Sequence, residues 1–201
     1  MSHGGTLVVG DVHGCAEELD ALLQRVSPAR LVMVGDLFTR GPRPGAVWEL
    51  LAAAGAVGVL GNHDARVLAE PLRWAPHLPD AAIDWLRSLP LWREEAGVHV
   101  IHAGVDPLRG PAGTPRATAL TVRRWPRDGR GSPDPFWWEG HRGPRLVVYG
   151  HDAARGLVDR RPYTLGLDTG CVYGGALTGY LVEADRLVQV PARAVYRAPE
   201  G

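Results

Sequence analysis

Lysine is absent. All 22 basic residues of the 201-residue chain are arginine. That excludes a Walker-type phosphate loop, a Schiff-base lysine and the Ser-x-x-Lys hydrolases. Phosphate chemistry here would have to rest on arginine, metal ions or backbone amides, although an arginine-favouring genome accounts for the bias without any functional demand. Cysteine is scarce as well: Cys15 and Cys171 are the only two, too few for a disulfide framework or a four-thiolate zinc site. Neither has a matched base, so thiol chemistry is not expected. Neither sign of charge dominates, since 22 acidic residues offset the arginines. A strongly basic nucleic-acid binder and an acidic disordered tail are both disfavoured, and no stable nucleic-acid partner is expected. No apolar run reaches the roughly 18 residues of a membrane span. The opening Met1-Ser2-His3-Gly4-Gly5 has no leader-like pattern, so a cytoplasmic protein without membrane contact is the expectation. What the chain does have is 45% hydrophobic and 22% charged residues, enough for a sizeable core and a single domain over residues 1–201.

Short apolar runs ending in glycine and a polar residue recur along the chain. Thr6–Val9 precedes Gly10-Asp11, Leu31–Val34 precedes Gly35-Asp36, and Val57–Leu60 precedes Gly61-Asn62. Val98–Ile101 runs into His102, and Leu146–Tyr149 into Gly150-His151. Such β-branched runs read as buried strands covered on both faces. Leu19, Leu22, Leu23 and Val26, and again Val47, Leu50, Leu51 and Ala54, show helical spacing. A third helix is expected from Asn62 or His63, and a fourth over about Asp80 to Leu89. This alternation predicts an α/β fold, parallel at first. From Asp106 to Pro144 the composition turns to Gly, Pro and Arg, and Thr121–Gly131 reads as loop. Thr164–Leu167, Ala176–Glu183 and Arg186–Val190 read as antiparallel strands closing a second sheet, with a loose tail from Pro191.

The chemistry-bearing residues fall at strand C-termini, where open α/β sheets place their sites. They are Asp11 and His13, Asp36, Asn62 and His63, His102, and His151. Singly, each has a plain reading as a helix cap, a turn residue or a core histidine. Together, with glycine beside them, they form a ligand set. Carboxylate, imidazole and amide oxygen without thiolate suit Mn²⁺, Fe or Zn²⁺. Six ligands are too many for one tetrahedral ion and suit two adjacent ions sharing a carboxylate.

At these residues the chain resembles the calcineurin-like metallophosphoesterases. The matching motifs are Gly10-Asp11-Val12-His13-Gly14, Gly35-Asp36 through Arg40-Gly41, Gly61-Asn62-His63-Asp64, His102-Ala103-Gly104 and Gly150-His151. Within that family it looks like the phosphoprotein-phosphatase branch and, there, the bacterial symmetrical diadenosine tetraphosphatases, especially at Leu167–Cys171 and Gly174–Thr178. The resemblance implies a two-sheet β-sandwich flanked by helices with a short cap region. It implies two divalent ions, of which Mn²⁺ is preferred with Fe, Co or Zn as alternatives. Asp11 and His13 would bind the first ion, Asp36 would bridge, and Asn62, His102 and His151 would bind the second. Arg40 would contact the scissile phosphate and His63 would act as general acid, with Asp64 counted among the catalytic groups. Arg142 matches a second phosphate-binding arginine, and Asp168 is placed with the substrate residues. The implied activity is symmetrical hydrolysis of diadenosine tetraphosphate to two ADP, with capped RNA as a further substrate. A serine/threonine or tyrosine phosphoprotein phosphatase is the alternative.

Two departures bear on substrate. Phosphoprotein phosphatases carry an acidic residue just before the motif arginine, where it orients the catalytic histidine, and here that position is Thr39. A leaving nucleoside diphosphate, whose phosphate has a second pKa of about 6, needs a weaker acid than an alkoxide does. This favours dinucleoside polyphosphates over phosphoproteins. The second departure cuts the other way: the larger tetraphosphatases place a helical insertion between the motifs of His102 and His151, and the 48 residues that lie here leave less material to enclose an adenosine. Within that stretch Arg123, Arg124, Arg127 and Arg130 surround Trp125, and Trp137 and Trp138 precede Arg142. These arginines could hold polyphosphate while an indole stacks on a base; the plain alternative is a solvated loop with indoles capping a small core. Trp74, Trp85 and Trp92 are expected on a helical hairpin in the core.

Overall fold

The computed structural model describes residues 4–125 and 134–198. Arg127 and Arg130 lie outside the described residues. In the first half, strands β1 (Thr6–Val9), β2 (Arg30–Met33) and β3 (Val57–Gly58) alternate with helices α1 (Ala16–Val26), α2 (Pro44–Ala53) and α3 (Asn62–Ala69). A one-turn α4 (Pro71–Trp74) and α5 (Asp80–Ser88) follow, then β4 (Trp92–Glu95) and β5 (Val98–Ile101). The cap contributes α6 (Gly110–Gly113), α7 (Arg116–Thr121) and α8 (Trp137–Gly140). The chain closes with β6 (Val147–Tyr149), β7 (Val158–Arg160), β8 (Thr164–Gly166), β9 (Ala176–Leu181) and β10 (Arg186–Pro191).

The strands form two five-stranded sheets, ordered β10-β9-β1-β2-β3 and β4-β5-β6-β8-β7. In the first, β1, β2 and β3 are parallel; in the second, β5, β6 and β8 are. The period of two along each strand sorts the core into layers. Val8, Val32 and Val34 face inward onto Val100, Val148 and Leu165 of the opposite sheet. Leu7, Val9, Leu31 and Met33 face outward beneath Leu19 and Leu22 of α1 and Val47 and Leu51 of α2. On the outer face of the second sheet, Ile101, Val147 and Tyr149 pack against Trp137. Each such buried side chain contributes about 1.5–3 kcal/mol.

Several expectations need correction. The hairpin β9–β10 joins the first sheet, with β9 antiparallel to β1. Leu177, Leu181, Val188 and Val190 then share the layer under α1, which is what directs the hairpin there. Strand β8 is parallel to β6 and antiparallel to the unanticipated β7. Trp92 belongs to β4, antiparallel to β5, and not to a helix. The tail is not loose: the Tyr196 amide donates to the Val172 carbonyl and its hydroxyl to Glu18 Oε1 at 2.8 Å. The Gly/Pro/Arg-rich stretch holds three short helices around Trp137, whose indole donates to the Ala103 carbonyl at 3.0 Å.

Candidate metal centre

The site residues emerge from the C-terminal ends of strands in both sheets. Asp11 follows β1, Asp36 follows β2 and Asn62 opens α3 after β3, all from the first sheet. His102 follows β5 and His151 follows β6 in the second sheet. The centre therefore straddles the seam. Four of its residues have backbones in the left-handed region that side chains avoid: His13 (φ 45°), Asp36 (φ 55°), Arg40 (φ 70°) and His151 (φ 73°). This conformation turns each side chain sharply off its strand. Gly150 permits the approach of the second sheet, because a Cβ there would strike the Asp11 carboxylate.

Two triplets result. Asp11, His13 and Asp36 offer ligand atoms within 4.8 Å of one another, as do Asp36, His102 and His151. Asp36 belongs to both. His13 Nε2 stands 3.6 Å from Asp36 Oδ2, and His102 Nε2 stands 3.5 Å from Asp36 Oδ1. These gaps are too long for hydrogen bonds. Asn62 Oδ1 lies 2.9 Å from both His102 Nε2 and His151 Nδ1.

The donor set fits a pair of cations. His102 Nδ1 spends its proton on the Val34 carbonyl at 2.9 Å, which turns the Nε2 lone pair toward the centre. That lone pair then faces another acceptor, Asn62 Oδ1. His151 Nε2 is buried with no partner at all. Burial pulls the His151 imidazole down to about 2, with the neighbouring His102 adding to it. Burial likewise lowers His13 and His102, leaving three neutral rings ready to ligate. The carboxylates are stressed in the opposite direction. Burial raises Asp36 to about 7, and burial with repulsion from Asp168 and Asp36 raises Asp11. Neutral imidazoles and mutually repelling carboxylates in a buried cluster are relieved by cations.

Residues 6–183 match the family model for calcineurin-like phosphoesterases. The chain belongs to the calcineurin-like phosphoesterases. The family's centre is a pair of divalent ions, for which the two triplets are candidate ligand groups. Among curated relatives, the chain is 30% identical to a symmetrical bis(5'-nucleosyl)-tetraphosphatase of Bordetella pertussis, covering 98% of this chain and 99% of that one. It is 31% identical to one of Pseudomonas putida, covering 89% and 90%. The Bordetella alignment runs over 280 positions, so that relative carries insertions that this chain lacks. A crystal structure provisionally named a diadenosine tetraphosphatase superposes with a TM-score of 0.83 at 34% identity, covering 96% of this chain and 99% of that one.

The centre opens into a cleft of about 830 Å³. His63 and Arg40 line it, with Arg40 over the Tyr173 ring at 5.6 Å. Burial, then the charges of Arg40 and Arg66, hold His63 down at about 3, and its Nδ1 is buried without a partner. Thr39 does not serve His63. Its hydroxyl shares a 3.2 Å hydrogen bond with His13 Nδ1. Arg123, Arg124 and Arg155 line the outer cleft, the latter two over the Phe136 ring at 4.3 and 5.1 Å. Arg123 reaches Asp152 at 3.4 Å.

Three further residues singled out from the sequence have the following surroundings. Asp64 is fully buried and does not face the cleft: its carboxylate accepts from the amides of Asp36 at 2.7 Å, Leu37 at 3.0 Å and Gly61 at 3.1 Å. Its carboxylate holds the Asp36 turn. Arg142 lines a separate cavity beside His141. The carbonyls of Glu139 and His141 hold its guanidinium over the Tyr163 ring. Asp168 does line the cleft, but its charge acts on Asp11 and it receives the Gly170 amide at 3.1 Å. An acidic group there suits the cation side and not an anionic substrate. Sequence reasoning missed Arg155 and Tyr173; the only signal for Arg155 was its place four residues after His151.

Proposed function

We propose that the protein is a metal-dependent hydrolase of dinucleoside tetraphosphates, cutting diadenosine tetraphosphate symmetrically to two ADP. The observation that carries this reading is Asp36, shared by two ligand triplets at the head of an arginine-lined cleft. The names of the relatives from Bordetella and Pseudomonas support the substrate. In this reading Asp11 and His13 would hold one ion, Asn62, His102 and His151 would hold the other, and Asp36 is the residue common to both triplets. Mn²⁺ is the proposed metal, because the donors are oxygen and imidazole without sulfur. Bound there, two divalent ions supply Lewis-acid charge and lower the pKa of the attacking water.

The chain's own groups complete the chemistry. Arg40, held over Tyr173, binds the oxygens of the scissile phosphate and balances charge as it builds up. Arg123, Arg124 and Arg155 take the phosphates farther along the chain, where two guanidiniums braced on Phe136 are preorganised for bidentate contact. His63 faces the leaving oxygen. A ring held neutral donates a hydrogen bond more readily than a proton, which suffices for a diphosphate leaving group. A phosphoserine alkoxide would demand more, and Thr39 provides no carboxylate to charge His63. We place the enzyme in the cytoplasm as one working unit over residues 1–201. Among the described residues no helix is long and apolar enough to cross a membrane.

Incubation with Mn²⁺ and diadenosine tetraphosphate, followed by nucleotide chromatography, is expected to yield ADP alone. ATP with AMP, or an inert dinucleotide beside rapid phosphopeptide hydrolysis, would overturn the reading.

A further inference from the structure

A second ligand cluster lies beneath α1, apart from the cleft. Cys15, Glu18 and Cys171 are 0%, 0% and 2% exposed. Their two sulfurs and one Glu18 carboxylate oxygen lie within 4.8 Å of one another. Cys15 caps α1 and Glu18 stands three residues later, so both fall on one helix face. Cys171 arrives from the turn after β8. Glu18 Oε1 is satisfied, accepting from the Arg193 amide and the Tyr196 hydroxyl, each at 2.8 Å. Glu18 Oε2 is buried with no partner. A carboxylate oxygen sealed from water without a donor is costly, and two sulfurs beside it offer no strong hydrogen bond in return. Bridging these donors with a cation removes the cost.

We propose that Cys15, Glu18 and Cys171 form a site for one thiophilic divalent cation of the zinc or cadmium class, separate from the binuclear centre. Two sulfurs and a carboxylate suit such an ion and disfavour manganese, so the two sites sort metals by donor chemistry. On binding, each thiol releases its proton to solvent and the ion sheds water; no electron moves. The ion would tie the start of α1, two residues past His13, to the turn that begins three residues before Cys171 at Asp168. It would brace the wall behind the centre without entering the reaction.

The test uses the full chain with its centre first saturated with Mn²⁺, then titrated with Cd²⁺ while sulfur-to-cadmium charge-transfer absorption is followed. These are the only two thiols in the chain, and the oxygen and nitrogen donors of the centre give no such absorption, so a signal has one source. The expected result is a rise that saturates at one cadmium per chain and is erased by added zinc. Cys15→Ser or Cys171→Ser should abolish it. Glu18→Gln should weaken binding at least tenfold while keeping the absorption per bound ion. No charge-transfer absorption in the unaltered protein would overturn the proposal, and that reading does not depend on any variant folding. An unchanged titration in Glu18→Gln would overturn it equally.

Discussion

Thr39 Oγ1 stands 3.2 Å from His13 Nδ1 and fixes the ring of a first-triplet ligand. With Nδ1 engaged, His13 Nε2 is left to face Asp36. Thr39→Val keeps the volume and removes the hydroxyl. Loss of such an outer hydrogen bond costs about tenfold or more in metal affinity. Activity at limiting Mn²⁺ is expected to fall by a similar factor and to return with excess metal. A Mn²⁺ titration unchanged from the parent would refute the link.

Asp36 and His63 should separate cleanly by metal content. Asp36→Ala removes the residue common to both triplets, and elemental analysis should find neither ion and no turnover. His63→Ala leaves both triplets intact and should retain two ions while losing about 10²–10⁴-fold in rate. Full rate in His63→Ala would remove that residue from the mechanism.

The cleft arginines should be legible in substrate size. Arg155→Ala removes a charge-assisted contact of about 1.5–3 kcal/mol, roughly a ten- to hundredfold loss in kcat/KM for a dinucleoside tetraphosphate. A small phosphodiester that never reaches the outer cleft should be hydrolysed as before. Arg142→Ala, facing the other cavity, should alter neither. Equal losses on both substrates in Arg155→Ala would contradict the assignment.

A pH effect on stability is expected at the seam. Arg30 of β2 donates to Glu95 of β4 at 3.1 and 3.3 Å, joining one sheet to the other. Burial tends to raise the Glu95 carboxyl, but Arg30 and Arg93 outweigh it and hold the group below its ordinary 4.5. The folded value is depressed, so the contribution is present above the unfolded value and lost as pH falls through the folded one. Because Arg30 is 40% exposed, water limits the gain to about 1 kcal/mol. Glu95→Gln should lower stability by that amount at neutral pH and by nothing in acid, as read by urea melts.

Trp137 should be the most sensitive cap position. It is 1% exposed between Gly104 and Tyr149. Trp137→Ala should cost about 3–5 kcal/mol, measured by denaturant unfolding. Trp138, half-buried and stacked flat on Phe136 at 5.1 Å, should cost far less.

The parallel strands and the ligand residues were legible because an apolar run, a glycine and a polar side chain are adjacent in sequence. Strands β4 and β7 were not. Trp-Arg-Glu-Glu and Val-Asp-Arg carry little alternation, and their pairing comes from β5 and β8. Ala96 and Gly97, both with positive φ, turn the chain from β4 into β5. The surroundings of Asp64 and Arg142 were hidden for a different reason. A motif names the residue but not the direction of its side chain, and here one turns toward backbone amides and the other toward backbone carbonyls. Thr39 shows the reverse: its lack of charge was visible, while its attachment to His13 required the fold.

Four of the six candidate cation ligands follow strands of the first sheet and two follow strands of the second, so the centre doubles as a clasp across the β-sandwich. Stripping the ions with a chelator should loosen the whole molecule as well as silence it. Slippage between the layers, from heat or from a poorly packed valine, should then register as lost turnover well before the protein unfolds.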